Sequence, residues 1–304
     1  MIVMTSLSSM FTQFLARPGI SKDTHDKYYY RLRRFVAAYP DTSPRLITTP
    51  MLSEFIGCQL VSDASKSSYR QCFHAFFAFC GLHEDNPAKF LPRWRDTPRR
   101  VVLPNEQAVK LALARAISMC HSANPVDVRD GLIFTLAVMS GNRRGEIRNL
   151  KVLDLIDAMQ HPGENGVYRA YTTGKTGESI MRFVDAHKAH FVYYLRLRPL
   201  NSDYVFVNLD KASQGYGHKL SLVTFDRIRP KVCQRAGVSV ITYQELRRRL
   251  ATSIARSVNV ETAAQVLNHS PHSGDRVIRL FYYDPDKAAA DKAAAEVFSG
   301  MVTL

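Results

Sequence analysis

Between residues 86 and 104 the chain carries Pro87, Pro92, Pro98 and Pro104, interleaved with Arg93, Arg95, Arg99 and Arg100. A proline inside a helix removes a backbone donor and clashes with the preceding turn, so no continuous helix can run through this stretch. It reads as an extended basic connection and divides the 304 residues into two folding units. We expect an N-terminal helical domain at 1–97, a basic Pro-rich linker at 98–104 and a second domain at 105–304. At 46% hydrophobic residues the chain has the means to bury a core in each.

Hydrophobic spacing assigns the elements. Tyr28, Leu32, Phe35, Val36 and Tyr39 recur at three and four residues within Thr24–Tyr39, an apolar helical stripe opposed by Lys27, Arg31, Arg33 and Arg34. Ser65–Gly81 repeats the pattern with Phe73, Phe76, Phe77 and Cys80. In the second domain, helices are predicted at Asn105–Cys120, with Val109, Leu111, Leu113 and Ile117 turned inward, and at Val126–Ser140, ended by Gly141. A turn and helix should follow over Asn142–Leu153. Val167–Thr173 and Ser179–Val184 flank a Gly174-Lys175-Thr176-Gly177 turn and read as a hairpin. Helices then follow at Ala186–Arg198, Leu222–Ala236, Tyr243–Val258, Glu261–Asn268 and Arg276–Tyr283, with an Ala-rich helix at Asp286–Phe298. The class is mainly α with a small antiparallel β-sheet.

Charge narrows the partner. The formal net charge is +14 and the pI about 9.7, the range in which nucleic acid becomes the leading candidate. Residues 1–100 hold 14 Lys and Arg against 8 Asp and Glu, so the excess runs through both halves, as expected if both meet one polyanion. No stretch is apolar enough for a membrane span, and no basic amphipathic end segment or signal peptide is evident. Five cysteines without a Cys-x-x-Cys pair argue against a disulfide framework or a Cys-based zinc site and favour a reducing compartment.

Four segments carry chemistry. In Ser140–Leu150, Arg143 directly follows a Gly turn at the opening of a helix, where backbone N–H groups and a guanidinium together make an oxyanion site. Lys175 stands at the tip of the hairpin; its turn lacks the spacing of a nucleotide-binding loop. In Tyr243–Thr252, Leu246, Leu250 and Ile254 should bury one face, with Arg247 beside that seam. The fourth comprises Leu267-Asn-His269-Ser270 and then Phe281-Tyr282-Tyr283-Asp284-Pro285.

In this order the segments resemble the tyrosine recombinase (phage integrase) family, over roughly residues 10–300. Gly141-Asn-Arg143-Arg-Gly-Glu146 looks like the first arginine box of that family, Gly174-Lys175-Thr-Gly like its hairpin lysine, and Gln244-Glu-Leu-Arg247 like its His-x-x-Arg box, the following Leu-Ala-Thr register selecting Arg247 over Arg248 and Arg249. Leu267-Asn-His269-Ser resembles its Leu-Gly-His-Ser segment, and Tyr282-Tyr-Asp-Pro its nucleophile segment, with Tyr283 the alternative. Three departures stand out. Gln244 replaces a titratable His, Asn268 replaces Gly at a position that suits a left-handed cap, and Tyr282 follows His269 at an interval of thirteen positions, longer than is usual in the family.

The resemblance implies a two-domain DNA strand-exchange enzyme. A tyrosine attacks a phosphodiester to give a 3′-phosphotyrosine and a free 5′-hydroxyl. Arg143, Arg247 and His269 hold the phosphate oxygens, Lys175 protonates the leaving oxygen, and Gln244 is a further phosphate contact. No cofactor, metal or ATP is expected. The implied partner is double-stranded DNA at a specific site, in a homo-tetramer with the C-terminal helix exchanged between protomers, acting in the cytoplasm on the nucleoid. Two alternatives stay open: a type IB topoisomerase-like enzyme and an inactive DNA-binding accessory protein.

Overall fold

The structure is a computed structural model that describes residues 6–94, 103–163, 166–174 and 177–268. The chain divides into two units, Met1–Thr97 and Pro98–Leu304.

In the N-terminal unit four helices, α1 (Leu7–Ala16), α2 (Lys22–Ala38), α3 (Thr49–Gly57) and α4 (Asp63–Phe79), enclose one core. Ser6, Ser21 and Ser62 cap α1, α2 and α4 by accepting a bond from the third residue on. The core is aromatic: Phe14 meets Phe76 edge-on at 5.3 Å and Phe35 meets Phe73 at 5.0 Å. The beginning of the Pro-rich stretch belongs to this core and not to a linker. Pro87–Phe90 forms a 3-10 turn in which Pro87 and Ala88 are buried. Buried Asn86 donates to the His74 carbonyl at 3.0 Å and accepts from Ala88 N–H at 3.0 Å.

In the second unit α5 (Glu106–Cys120) lies against α6 (Pro125–Ser140). The buried face of α5 is Val109, Ala112, Ala116 and Met119, whereas Leu111 and Ile117, predicted to face inward, are exposed. The cause is close approach. A Cβ on Gly131 of α6 would collide with the Ala116 carbonyl and meet Met119 Cβ at 3.0 Å, so only small residues fit at this crossing. Residues 128–137 of α6 are all buried. Its buried pair Arg129–Asp130 (2.7 Å) is extended by Lys231 of α10 (Leu222–Arg235), 2.8 Å from Asp130. Removing one partner of such a buried pair costs roughly 3–5 kcal/mol.

The helix predicted to run on to Leu153 stops early. α7 (Arg144–Asn149) ends at buried Leu150. The Leu150 carbonyl accepts from Val205 N–H at 2.9 Å and the Asp203 carbonyl from Val152 N–H at 2.7 Å. Long-range backbone pairing replaces the helical ladder, and a new helix, α8 (Val152–Gln160), begins. β1 (Tyr168–Gly174) and β2 (Gly177–Phe183) pair antiparallel, Gly174 facing Gly177 and Tyr171 facing Ile180. Then follow α9 (Asp185–Leu197), α10, α11 (Tyr243–Ser257) and α12 (Val260–Val266). The expected helices at 276–283 and 286–298 lie outside the described residues. Among the described residues the five cysteines are free thiols and no helix is long and apolar enough to cross a membrane.

Candidate DNA-cleavage site

Buried Arg247 is the hub of the site. It sits one turn into α11, whose start is fixed by a capping box: Thr242 N–H donates to Glu245 Oε2 at 2.6 Å and Glu245 N–H to Thr242 Oγ1 at 3.1 Å. Arg247 is 2% exposed, more deeply set than a position beside the seam, while Leu250 and Ile254 are only half-buried. Its Nη1 donates to the Gly141 carbonyl and its Nη2 to the Leu267 carbonyl at 2.5 Å. Those carbonyls lie two residues before Arg143 and two before His269. One guanidinium therefore ties together the first arginine box and the His-containing segment. Gln244, one turn before Arg247, is exposed.

Gly141 makes that approach feasible. It ends α6 with φ +63°, and a Cβ there would lie 2.7 Å from both Leu250 Cδ2 and Leu267 Cδ2. Only glycine offers both the left-handed backbone and the space. The chain then turns through buried Asn142 into Arg143, the residue preceding α7.

Arg143 is held by a buried carboxylate. Glu146, 2% exposed, accepts from Arg143 Nη1 at 2.9 Å, from Arg143 N–H at 2.8 Å and from Asn142 Nδ2 at 3.0 Å. The side chain of Arg143 remains 41% exposed. The Arg143–Glu146 pair is thus half-buried, presenting a guanidinium to solvent from a buried acceptor.

The hairpin is fastened to the same helix. Thr172 Oγ1 donates to the Glu146 carbonyl at 2.7 Å and Asn149 Nδ2 to the Thr173 carbonyl at 2.6 Å. A Cβ on Gly174 would lie 2.9 Å from Glu146 Oε1. Half-buried Lys219 donates to Asn149 Oδ1 at 2.6 Å and packs on the Tyr204 ring at 3.9 Å; burial holds its ammonium below the usual lysine range. Lys175 follows Gly174 directly but, like His269, Tyr282 and Tyr283, lies outside the described residues. Of the six expected site residues the structure describes Arg143, Gln244 and Arg247.

Four supporting residues escaped sequence reasoning. The Thr242-x-x-Glu245 box was legible as a capping signature. Asn142 and the side-chain role of Asn268 carried no signal, because both act across elements distant in sequence. Among the described residues no three His, Cys, Asp or Glu side chains gather to hold a metal ion.

Known proteins resemble the chain in sequence and in fold. The chain is 27% identical over 286 residues to the tyrosine recombinase XerA of Pyrococcus furiosus, covering 93% of this chain and 92% of that protein. It is 28% identical over 213 residues to a Sinorhizobium fredii protein named as an integrase/recombinase, y4rF. That match covers 67% of this chain but spans only 47% of that relative's length. Among solved structures, the XerH site-specific recombinase bound to palindromic difH substrate in a post-cleavage complex superposes with a TM-score of 0.65 at 19% identity, over 90% of this chain and 79% of that one. A lambda integrase tetramer bound to a Holliday junction superposes with a TM-score of 0.64 at 18% identity, over 93% and 78%. These structures share the mainly helical fold with its small antiparallel sheet. The model of the phage integrase family matches residues 105–274, from the start of α5 to beyond His269, and the chain belongs to that family.

Proposed function

We propose that this protein is a site-specific recombinase that cleaves and rejoins double-stranded DNA through a covalent 3′-phosphotyrosine. The observation that carries the reading is the Arg247 hub, which binds the segments of Arg143 and His269 to one guanidinium. In the proposed reaction the Tyr282 hydroxyl attacks the phosphorus in line. The P–O5′ bond breaks, the proton of Tyr282 leaves to a neighbouring base or water, and Lys175 donates a proton to the departing 5′-oxygen. Arg143, Arg247, Gln244 and His269 contact the non-bridging oxygens, where charge grows in the transition state; each such donor is worth roughly 10²–10³ in rate. Resealing is the reverse, with a 5′-hydroxyl from the partner duplex as nucleophile.

The remaining assignments belong to the same proposal. The N-terminal unit, residues 1–97, is read as a second DNA-gripping domain, joined by the basic linker to the catalytic domain. Its cations are ordered on aromatic rings: Arg31 lies 4.6 Å from the Tyr69 centroid, and Arg33 5.4 Å and 5.2 Å from those of Tyr29 and Tyr30. Two duplexes and four cleavages require four protomers, which supports a homo-tetramer on DNA, the state named for the lambda integrase neighbour.

The test is covalent capture. The protein is incubated with nicked, sheared genomic DNA of its source, and SDS-resistant adducts are isolated and sequenced. Adducts at one recurring sequence are expected. Adducts dispersed over all sequences would indicate a type IB topoisomerase-like enzyme, and binding without adducts an accessory protein.

A further inference from the structure

Among the described residues the outer edge of β2 is met at Ile180 by side chains and not by a third strand. The N–H and C=O of one strand residue point to the same edge, and at Ile180 that edge faces Asn268. Ile180 N–H donates to Asn268 Oδ1 at 3.3 Å, and Asn268 Nδ2 donates to the Ile180 carbonyl at 2.9 Å. The carboxamide thus supplies one acceptor and one donor, a complete rung of strand pairing. Asn142 Nδ2 reaches the same carbonyl at 3.3 Å, and two residues on, Arg182 Nη1 donates to the Val266 carbonyl at 3.1 Å.

The backbone at Asn268 serves this pairing. Among the described residues Asn268 is the one non-glycine with positive φ, +53°. Asparagine tolerates that region at little cost, and a glycine would adopt it freely, but a glycine has no carboxamide to offer Ile180. Ile180 is therefore where three segments meet: the hairpin whose tip is Lys175, the turn leading into Arg143, and the residue preceding His269.

We propose that Asn268 is a positioning residue for strand cleavage, its two-point bond to Ile180 registering the Lys175 hairpin against the segment of His269. This rests on the strand-transfer reading and on Lys175 as the proton donor. Loss of the rung leaves the fold of the turn intact but frees the hairpin edge, so the proton donor loses its register with the leaving oxygen. A displacement of about 1 Å can cost on the order of 10²-fold in rate.

The experiment uses the full-length protein and the site recovered by covalent capture. Single-turnover cleavage is measured on an all-oxygen suicide substrate and on one with a 5′-bridging sulfur, whose leaving group needs no proton. Asn268→Gly keeps the left-handed backbone and removes the rung. Asn268→Asp keeps the acceptor but sets a carboxylate oxygen against the Ile180 carbonyl. Both are expected to cleave the oxygen substrate about 10- to 100-fold more slowly. Gel-shift affinity should be unchanged, and the sulfur substrate should bring both variants to within about threefold of the parent, as it does Lys175→Ala. Parental rates on the oxygen substrate for either variant would overturn the proposal. So would equal slowing on both substrates while Lys175→Ala is rescued, since the amide would then act on a step other than proton transfer. If sulfur fails to rescue Lys175→Ala itself, the general-acid reading falls and the role given to Asn268 falls with it. No adduct from the parent on either substrate would defeat strand transfer as a whole.

Discussion

The two arginines of the site should respond to truncation to very different degrees with respect to stability. Arg247→Ala strands the Gly141 and Leu267 carbonyls, both in a buried setting. Each orphaned acceptor costs roughly 1–3 kcal/mol, so the loss is about 2–6 kcal/mol before any cavity is counted. Arg143→Ala removes a side chain that is 41% exposed, and Glu146 keeps its bonds from Asn142 Nδ2 and the residue-143 N–H. That loss should be about 1 kcal/mol or less. For a unit of this size 1 kcal/mol moves the midpoint by roughly 2–4 °C. Arg247→Ala should therefore melt about 5–20 °C lower, and Arg143→Ala within about 4 °C of the parent. Arg247→Lys, able to satisfy one carbonyl, should fall between. Circular dichroism at 222 nm follows the helices of both units, whereas Trp94, the chain's one tryptophan, packs on the N-terminal core and reports that unit alone. Its fluorescence transition should stay in place while the helical signal shifts. Both alanine variants should lose adduct formation. A melting point for Arg247→Ala within about 2 °C of the parent would refute the hub, as would an equal fall for Arg143→Ala.

Tyr282→Phe should abolish the covalent adduct and Tyr283→Phe preserve it, as read by SDS gel; the opposite result moves the nucleophile by one residue, and adducts from both variants remove it from this segment. DNA affinity should fall roughly 10³- to 10⁵-fold between 50 and 200 mM salt for about 6–10 phosphate contacts, and a flat titration would speak against a polyanion partner. His187 is held neutral down to about 4, first by burial and then by His190. The folded protein thus binds fewer protons than the unfolded chain between about 4 and 6.5, so stability is complete above 6.5 and declines as the pH falls through that window, by up to roughly 3 kcal/mol. His187→Phe should flatten this decline in a pH series of denaturant melts, and an unchanged slope would place it elsewhere.

What the sequence conveyed follows from which interactions are local. The hairpin was legible from Gly174 and Gly177 because turn chemistry is written in adjacent residues, and the observed strands begin and end within two residues of expectation. The helix ends near Ser140, Leu197 and Ser257 were legible for the same reason. The inward face of α5 was not. Leu111 and Ile117 are the larger apolar residues, but the crossing at Gly131 leaves space only for Ala112 and Ala116, and that constraint lies on another helix. The stop at Leu150 carries no glycine or proline; it is imposed by pairing with residues 203–205. At the site, the residue types of Arg143 and Arg247 pointed to phosphate chemistry, but the depth of Arg247 and the amide of Asn268 depend on carbonyls 106 and 88 residues away.

The burial of α6 on every side bears on how motion is distributed through the catalytic unit. A helix with residues 128–137 enclosed can release its amide protons only when the whole unit opens, whereas the exposed outer end of the ribbon, at 177–178, can open locally while Tyr168, Ala170, Met181 and Phe183 stay in the core. Hydrogen exchange should accordingly be slowest at 131–137 and much faster at 177–178. The arginine box hangs directly from the slow end of that gradient, at Gly141. The proposed phosphate contact at Arg143 is thereby referenced to the most enclosed part of its unit.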